Sequence, residues 1–171
     1  NGATPLYIAA LNGHIDVAKA LIAQGPDLDR ANNRGYTPLY AAAYMDNLEI
    51  VTELIAKGAD LDKANNIGAT PLYVAALNGH KDVVKELIAK GADPNKARTI
   101  DGSTPLHIAA EYGHKDVVEA LIEAGAGLNK AETKLGKTPL YIAALTGRKE
   151  VAQVLLEKGA MIDPGYWFDI R

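Results

Sequence analysis

The sequence predicts an all-α solenoid, in which pairs of short helices stack as repeats along one axis. The main observation is the segment "TPLYIAALNGH" at Thr4, which recurs in similar form four more times. Its opening threonines stand at positions 4, 37, 70, 104 and 138, so the spacing is always 33 or 34 residues. A catalytic loop needs to occur once, whereas a segment repeated at such a period is a building unit.

The first element of each unit is predicted to be a short helix. In the third unit Thr70 is a suitable N-cap, and Pro71 suits the first helical position, where a missing N–H has no cost. The apolar run from Leu72 to Ala76 contains small residues that allow a close neighbour. Gly79 then ends the helix as a C′ residue. The "NG" pairs are also a hairpin signal, but no alternating strand flanks them.

A second helix follows in the stretch "KDVVKELIAK". Asp82 in its first turn and Lys90 at its end match the helix dipole, and Gly91 stops it. Its apolar face includes Leu87 and Ile88, which we expect to be buried between units. Helices of about ten residues are marginal alone because nucleation is costly. Each unit therefore needs its neighbour to cover its apolar face, as in a stacked array.

A polar loop rich in Asn and Gly, such as "DLDKANNIGA", leads from each second helix to the next threonine. With the period of 33, the "TPLH"-like start, the "GH" between helices and the "GADLN"-like exit, the chain resembles the ankyrin repeat family. The resemblance covers residues 1–161 and implies an ankyrin-repeat solenoid, with a helix–turn–helix and a β-hairpin-like loop in each repeat. We place the five repeats of this single domain at about residues 1–32, 33–65, 66–98, 99–132 and 133–161.

Some positions depart from the family pattern. His107 matches a histidine that helps to bond neighbouring loops in the family, whereas the other four repeats carry tyrosine there. These tyrosines are Tyr7, Tyr40, Tyr73 and Tyr141. The second repeat has Asp46-Asn47 in place of Gly-His, so we expect one of these two residues to need a left-handed backbone. The loops before Thr104 and Thr138 are each one residue longer than their counterparts.

The tail "DPGYWFDIR" breaks the repeat and holds the single Trp and the single Phe of the chain. We interpret residues 162–171 as an aromatic tail in which Trp167 and Phe168 fold back as a cap on the last apolar face. A disordered end and a segment that grips a second molecule are the alternatives. Because the chain starts inside a repeat at Asn1, we also expect it to be a piece of something longer.

Composition limits the classes of function. The 48% hydrophobic and 23% charged residues indicate a folded chain. The net charge of −3 gives no basic footprint for nucleic acid, and no apolar run approaches membrane-spanning length. The lack of cysteine rules out disulfides, thiolate zinc sites and a cysteine nucleophile. It also fits the cytoplasm or another reducing intracellular compartment.

Candidate catalytic and metal-binding residues are better explained by structure. Ser103, the single serine, lies four residues before His107, but both positions belong to the loop and helix start of a repeat. His14, His80 and His114 occupy one repeat position, so as metal ligands they would lie in different units instead of converging. The glycines are periodic helix stops and form no phosphate-binding loop. We therefore predict no catalytic residue, no cofactor and no metal, and hence no enzyme.

Protein recognition is the remaining function, and the resemblance implies that it uses the concave face and the loop tips. In ankyrin repeats these surfaces are formed by residues that flank the loop glycine and by the two residues after "AA". These positions vary along the chain while the structural positions repeat. The predicted partner-binding residues are Arg34, Tyr36, Tyr44, Met45, Ile67, Leu77, Asp101, Glu111, Tyr112, Leu135, Lys137 and Leu145. We expect a protein partner, no nucleic acid or membrane, and a monomeric chain.

Two other interpretations stay open at this point. The near-identity of the units is typical of an engineered ankyrin scaffold without a natural partner, although the irregular loops are not. The chain could instead be a targeting module cut from a larger enzyme or effector. The sequence outside these residues would distinguish the two, since further domains favour the module.

Overall fold

The computed structural model describes residues 2–162, which form ten helices joined by turns and loops. No β-strand occurs in this part of the chain, so the predicted all-α repeat architecture is confirmed. Asn1 and residues 163–171, including the predicted cap at Trp167 and Phe168, lie outside the described residues. The helices are α1 Pro5–Leu11, α2 Ile15–Ile22, α3 Pro38–Tyr44, α4 Leu48–Ala56, α5 Pro71–Asn78, α6 Lys81–Ala89, α7 Pro105–Tyr112, α8 Lys115–Glu123, α9 Pro139–Leu145 and α10 Lys149–Glu157.

The first helix of every repeat begins as the sequence predicts, with threonine as N-cap and proline at the first helical position. In four repeats the threonine Oγ1 accepts the N–H of the residue three positions on, at 3.1 or 3.2 Å. In the fourth repeat a capping box forms, in which the N–H of Thr104 also donates to Nδ1 of His107 at 3.2 Å. These bonds satisfy donors that the helix itself leaves without partners.

The turn between the two helices of a repeat needs a left-handed residue. Gly79 and Gly113 supply it with φ angles of 73° and 80°, so the "NG" pairs are helix ends and not hairpins. In the second repeat Asp46 has a φ of 59°, the one positive value among the described non-glycine residues. The expected left-handed residue is therefore Asp46, whereas Asn47 is the N-cap of α4.

The helices form two rows along the stack. Helices α1, α3, α5, α7 and α9 make one row, and they pack against each other more closely than the second helices do. Alanines such as Ala43 and Ala76, both fully buried, allow this close approach. The first helices therefore form the more tightly packed row of the stack, which the resemblance places on the concave side. None of the helices in the described part of the chain is long and apolar enough to cross a membrane.

The second helices bury one face in the core between neighbouring repeats. Leu87 is fully buried, as predicted. Ile88 is half-buried and packs at the edge of the core, so its predicted burial is only partial. Adjacent residues on an α-helix point about 100° apart, and only Leu87 points straight into the interface.

The loops between repeats are hairpin-like and are joined to each other. In the third repeat the N–H of Asn65 donates to the carbonyl of Ala69 at 2.9 Å, which closes the loop. One backbone hydrogen bond then links each loop to the tip of the preceding loop, and we call this series the loop ladder. Its rungs run from the N–H of Asn66 to the carbonyl of Arg34 at 3.1 Å, from Thr99 to Ile67 at 3.1 Å, and from Thr133 to Asp101 at 2.8 Å.

Candidate functional site

The candidate site is the surface formed by the ends of the first helices and the loop tips, which we call the inner face. Most of the predicted partner-binding residues are solvent-exposed, and the others are half-buried. The exposed residues are Arg34, Tyr44, Met45, Ile67, Glu111, Tyr112, Leu135 and Leu145. The half-buried residues are Tyr36, Leu77, Asp101 and Lys137.

Large apolar side chains on the inner face are open to solvent in successive repeats. Tyr44, Met45 and Tyr112 at the helix ends are 46–49% exposed, and Leu145 is exposed further still. The loop tip of the third repeat adds Ile67 at 42%. Large apolar side chains exposed on one face in several repeats make that face the candidate contact surface.

A cluster of tyrosines in the first two repeats holds part of this surface in place. The rings of Tyr36 and Tyr40 are stacked, with centroids 4.7 Å apart and planes 13° from parallel. Burial raises the pKa of the Tyr40 phenol, with smaller contributions from Tyr36, Tyr44 and Tyr7. These phenols therefore share one environment, in which the Tyr40 phenol stays uncharged near neutral pH. Tyr36 is consequently a packed residue as well as a surface residue.

The loop of the fourth repeat is fixed by charged side chains. The guanidinium of Arg98 binds the carboxylate of Asp101, with Nε 3.1 Å from Oδ1, and lies 5.2 Å from the centroid of the Tyr73 ring. The same carboxylate accepts the N–H of Ser103 at 3.0 Å. The hydrogen bond between the two side chains lowers the pKa of Asp101 and raises the pKa of Arg98. The charge of Glu111 also contributes to raising the pKa of Arg98. The contacts of the Asp101 carboxylate thus stabilise its own loop, whatever its role in binding a partner.

His107 joins neighbouring loops, as the resemblance implied. It is fully buried, and its Nε2 donates to the carbonyl of Lys137 in the next loop at 3.2 Å. Its Nδ1 accepts from Thr104, so both ring nitrogens serve the fold. Burial lowers the pKa of the imidazole, which keeps it neutral. Ser103 is buried too, and this arrangement provides no nucleophile and base facing a substrate.

Tyr40 and Tyr73, at the same repeat position, serve the loops less well. The hydroxyl of Tyr40 accepts a long bond of 3.4 Å from Nδ2 of Asn65 in the next loop. The hydroxyl of Tyr73 is buried, and no described donor or acceptor meets it with hydrogen-bond geometry, although the Ser103 side chain lies beside it. Burial accordingly raises the pKa of Tyr73.

The residue before each second helix also has a structural role. In four repeats its side chain reaches back to a carbonyl at the end of the preceding repeat's first helix, where helical carbonyls lack partners. The pairs are Asn47 with Ala10 at 2.8 Å, and His80 with Tyr44, His114 with Leu77 and Arg148 with Glu111 at 2.9 Å each. The structural role predicted for the histidines is confirmed for His80 and His114. Among residues 2–162 no group of three or more His, Asp or Glu could hold a metal ion.

Two residues of the inner face were not predicted from the sequence. Ile100 at the tip of the fourth loop is 63% exposed, and Arg98 positions Asp101 and Tyr73. The signal was the extra residue in "KARTIDGS", because a longer loop carries one more side chain to its tip.

Comparisons with known proteins agree with this architecture. The family model for ankyrin repeats, in three copies, matches residues 1–65 and 72–165. A comparison with curated proteins gave no match. Repeats of this family generally mediate protein–protein contacts and are typically non-catalytic.

Proposed function

Because this chain belongs to the ankyrin repeat family, we propose that its inner face binds a partner protein. The observation that carries the proposal is the half-exposure of Tyr44, Met45 and Tyr112, large side chains in repeats two and four that no other described part of the chain covers. The proposal needs no cofactor, nucleic acid or membrane.

These three residues have the properties of interface anchors. Tyrosine buries a large area on binding and loses few rotamers, and methionine adapts to irregular partner surfaces. Tyr44 lies one helical turn after Tyr40 on α3, and the Tyr40 ring is stacked on Tyr36, so part of its surroundings is packed before binding. Pre-ordered anchors lower the entropy cost of association.

The test replaces Tyr44, Met45 and Tyr112 by alanine together. A binding protein is first selected against the unmodified chain. Its affinities for the unmodified chain and for the triple variant are then measured by calorimetry. We expect the triple variant to bind at least about thirtyfold more weakly, or about 2 kcal/mol. Tyr36 is left unchanged because its stacking on Tyr40 makes it part of the fold.

The matched control replaces Val17 and Leu48 by alanine. Both are similarly exposed apolar residues, at 52% and 39%, but they lie on second helices away from the inner face. The control should keep its affinity. If the triple variant keeps its affinity while its unfolding curve is intact, the inner face is not the binding surface. If the control loses as much, the partner uses the second helices.

A further inference from the structure

The fifth repeat ends in an apolar surface that the described residues leave uncovered. Ala144 on α9 is solvent-exposed, whereas its counterparts are completely buried in the four earlier repeats. These counterparts are Ala10, Ala43, Ala76 and Ala110. In each case the following repeat covers the alanine, so its exposure in the fifth repeat identifies the side on which a sixth repeat would pack.

The second helix of the fifth repeat extends this surface. Ala152 is half-buried, while Val84 and Val118 at the same position are completely buried. Leu156 is 44% exposed, whereas its counterparts are buried in the first repeat (Ile22) and half-buried in the next three (Ile55, Ile88 and Ile122). We call Ala144, Ala152 and Leu156 the end face. Its residues are built for burial, which makes continued exposure to water unfavourable.

The chain that leaves α10 keeps the register of the earlier repeats as far as it is described. The N–H of Met161 donates to Oδ1 of Asn129 at 2.7 Å. The equivalent N–H groups of Asp60 and Asp93 donate to the carboxylates of Asp29 and Asp62 in the same way. The family match also continues through residue 165. Met161 therefore lies where the path of a loop starts in the earlier repeats.

The next contact on that path is a rung of the loop ladder. The donor of each rung lies eight residues after the glycine that ends the second helix, as Asn66 does after Gly58. The acceptor is the carbonyl three residues before the capping threonine, which in the fifth repeat belongs to Leu135. Among residues 2–162 no N–H donates to this carbonyl. Eight residues after Gly159 the sequence has Trp167.

We propose that residues 163–171 add the next rung of the loop ladder and cover the end face with Tyr166, Trp167 and Phe168. The N–H of Trp167 donates to the carbonyl of Leu135. Nine residues reach about 30 Å when extended, enough to cross a helix pair. This register lacks one weak hydrogen bond of the earlier repeats. In the first repeat the N–H of Arg30 donates to the carbonyl of Asp27 over 3.4 Å, and Pro164 at the equivalent position has no N–H.

A second copy of the chain is the competing occupant. Val17 at the opposite end is 52% exposed, whereas Val83 and Val117 at its position are buried against the preceding repeat. Two chains could therefore meet head to tail. The tail is tethered to the end face, however, and a short tether gives an effective concentration in the millimolar range. Residues 163–171 should therefore occupy the end face in preference to a second chain at ordinary protein concentrations.

Trp167 is the single tryptophan, so its fluorescence reports on the end face alone. We expect the native emission to lie clearly to the blue of the unfolded emission and to be independent of protein concentration. Replacing Leu156 by lysine puts a charge on the end face and should move the emission at least halfway towards the unfolded value. The matched control is Val17→Lys, at the opposite end and of similar exposure, which should leave the emission unchanged.

Circular dichroism of both variants shows whether the fold is kept. A native emission as red as that of the unfolded chain would overturn the proposal. So would a blue emission that Leu156→Lys leaves unmoved. Emission that shifts on dilution and responds equally to both variants would assign the end face to a second copy of the chain.

Discussion

The side chain of Asn47 in the second repeat donates from Nδ2 to the carbonyl oxygen of Ala10 in the first repeat, 2.8 Å away. The later repeats make the equivalent bond with His80, His114 and Arg148. Three kinds of side chain therefore satisfy one requirement, a donor that reaches the end of the neighbouring helix. The residue type at this position can therefore vary as long as its side chain carries a hydrogen-bond donor.

Replacing Asn47 by alanine should destabilise the fold by about 1–2 kcal/mol, because the carbonyl of Ala10 loses its donor in a partly buried place. Asn47→His copies the third and fourth repeats and should cost much less. Urea unfolding of both variants measures the difference. Equal losses would mean that the hydrogen bond is not what the position contributes.

Replacing Asp46 by glycine should stabilise the second repeat by about 0.5–1 kcal/mol. Asp46 has a left-handed backbone with a φ of 59°, which glycine adopts without steric cost. The change also removes an exposed contact of 3.7 Å between the Asp46 carboxylate and His80, which is worth little. Unfolding midpoints test this directly.

The same strain predicts faster amide hydrogen exchange in the turn at Asp46-Asn47 than at Gly79-His80 in unmodified protein. Stronger protection at Asp46 would argue that the local backbone is not under strain. As a reverse control, Gly79→Ala should destabilise, because a Cβ there would lie 2.5 Å from Nδ1 of His114.

Replacing Leu87 by alanine should destabilise the fold by about 2–5 kcal/mol, since the side chain is fully buried between repeats. Ile88→Ala is the matched control on the same helix and should cost clearly less, because Ile88 is half-buried. Chemical denaturation compares the two. Hydrogen exchange should show the damage from Leu87→Ala in the adjacent repeats also. Similar costs for both variants would contradict the burial pattern.

His107 should make stability depend on pH below about 6.5. Burial lowers the pKa of its imidazole in the folded state from the ordinary value of 6.5. Above that value the ring is neutral in both states and contributes no pH dependence. As the pH falls below it, the unfolded chain binds a proton that the folded chain does not, so stability decreases by at most about 1.4 kcal/mol per pH unit.

The measurement compares the free energy of unfolding at pH 7.5 and 5.5 for the unmodified chain and for His107→Gln. The other histidines are common to both proteins, so the difference between the two pH dependences belongs to His107. The variant should lose less stability over this range. Identical pH dependences would mean that the folded imidazole accepts a proton as readily as the unfolded one.

Regular positions of the fold could be predicted from the sequence because they obey local rules. Thr70 as a cap, Gly79 as a helix end and Leu87 as a core residue each follow from a preference that acts within one helix. The left-handed residue of the second repeat was also foreseeable, although its assignment to Asp46 needed the backbone.

Contacts between repeats were harder to predict. The loop ladder joins backbone atoms, so residues as different as Asn66 and Thr99 can donate and no side-chain pattern marks them. The place of Arg98 over the Tyr73 ring depends on how two loops lie against each other. Most of the candidate site was visible as variable positions, but whether Asp101 faces a partner or its own loop was decided by Arg98.

The loop ladder also bears on how the molecule tolerates changes in length. Among the described residues no hydrogen bond spans more than 37 positions, so every connection is made with an adjoining repeat. The extra residue of the fourth repeat lies after the rung at Thr99 and before the loop closes at Ser103. Excision of one whole repeat, of 33 or 34 residues, would therefore let the flanking repeats meet with all their donors and acceptors in step. A deletion of any other size outside the loop tips would shift one set against the other, so gain and loss of complete repeats is the main route by which such a chain can change length and remain folded.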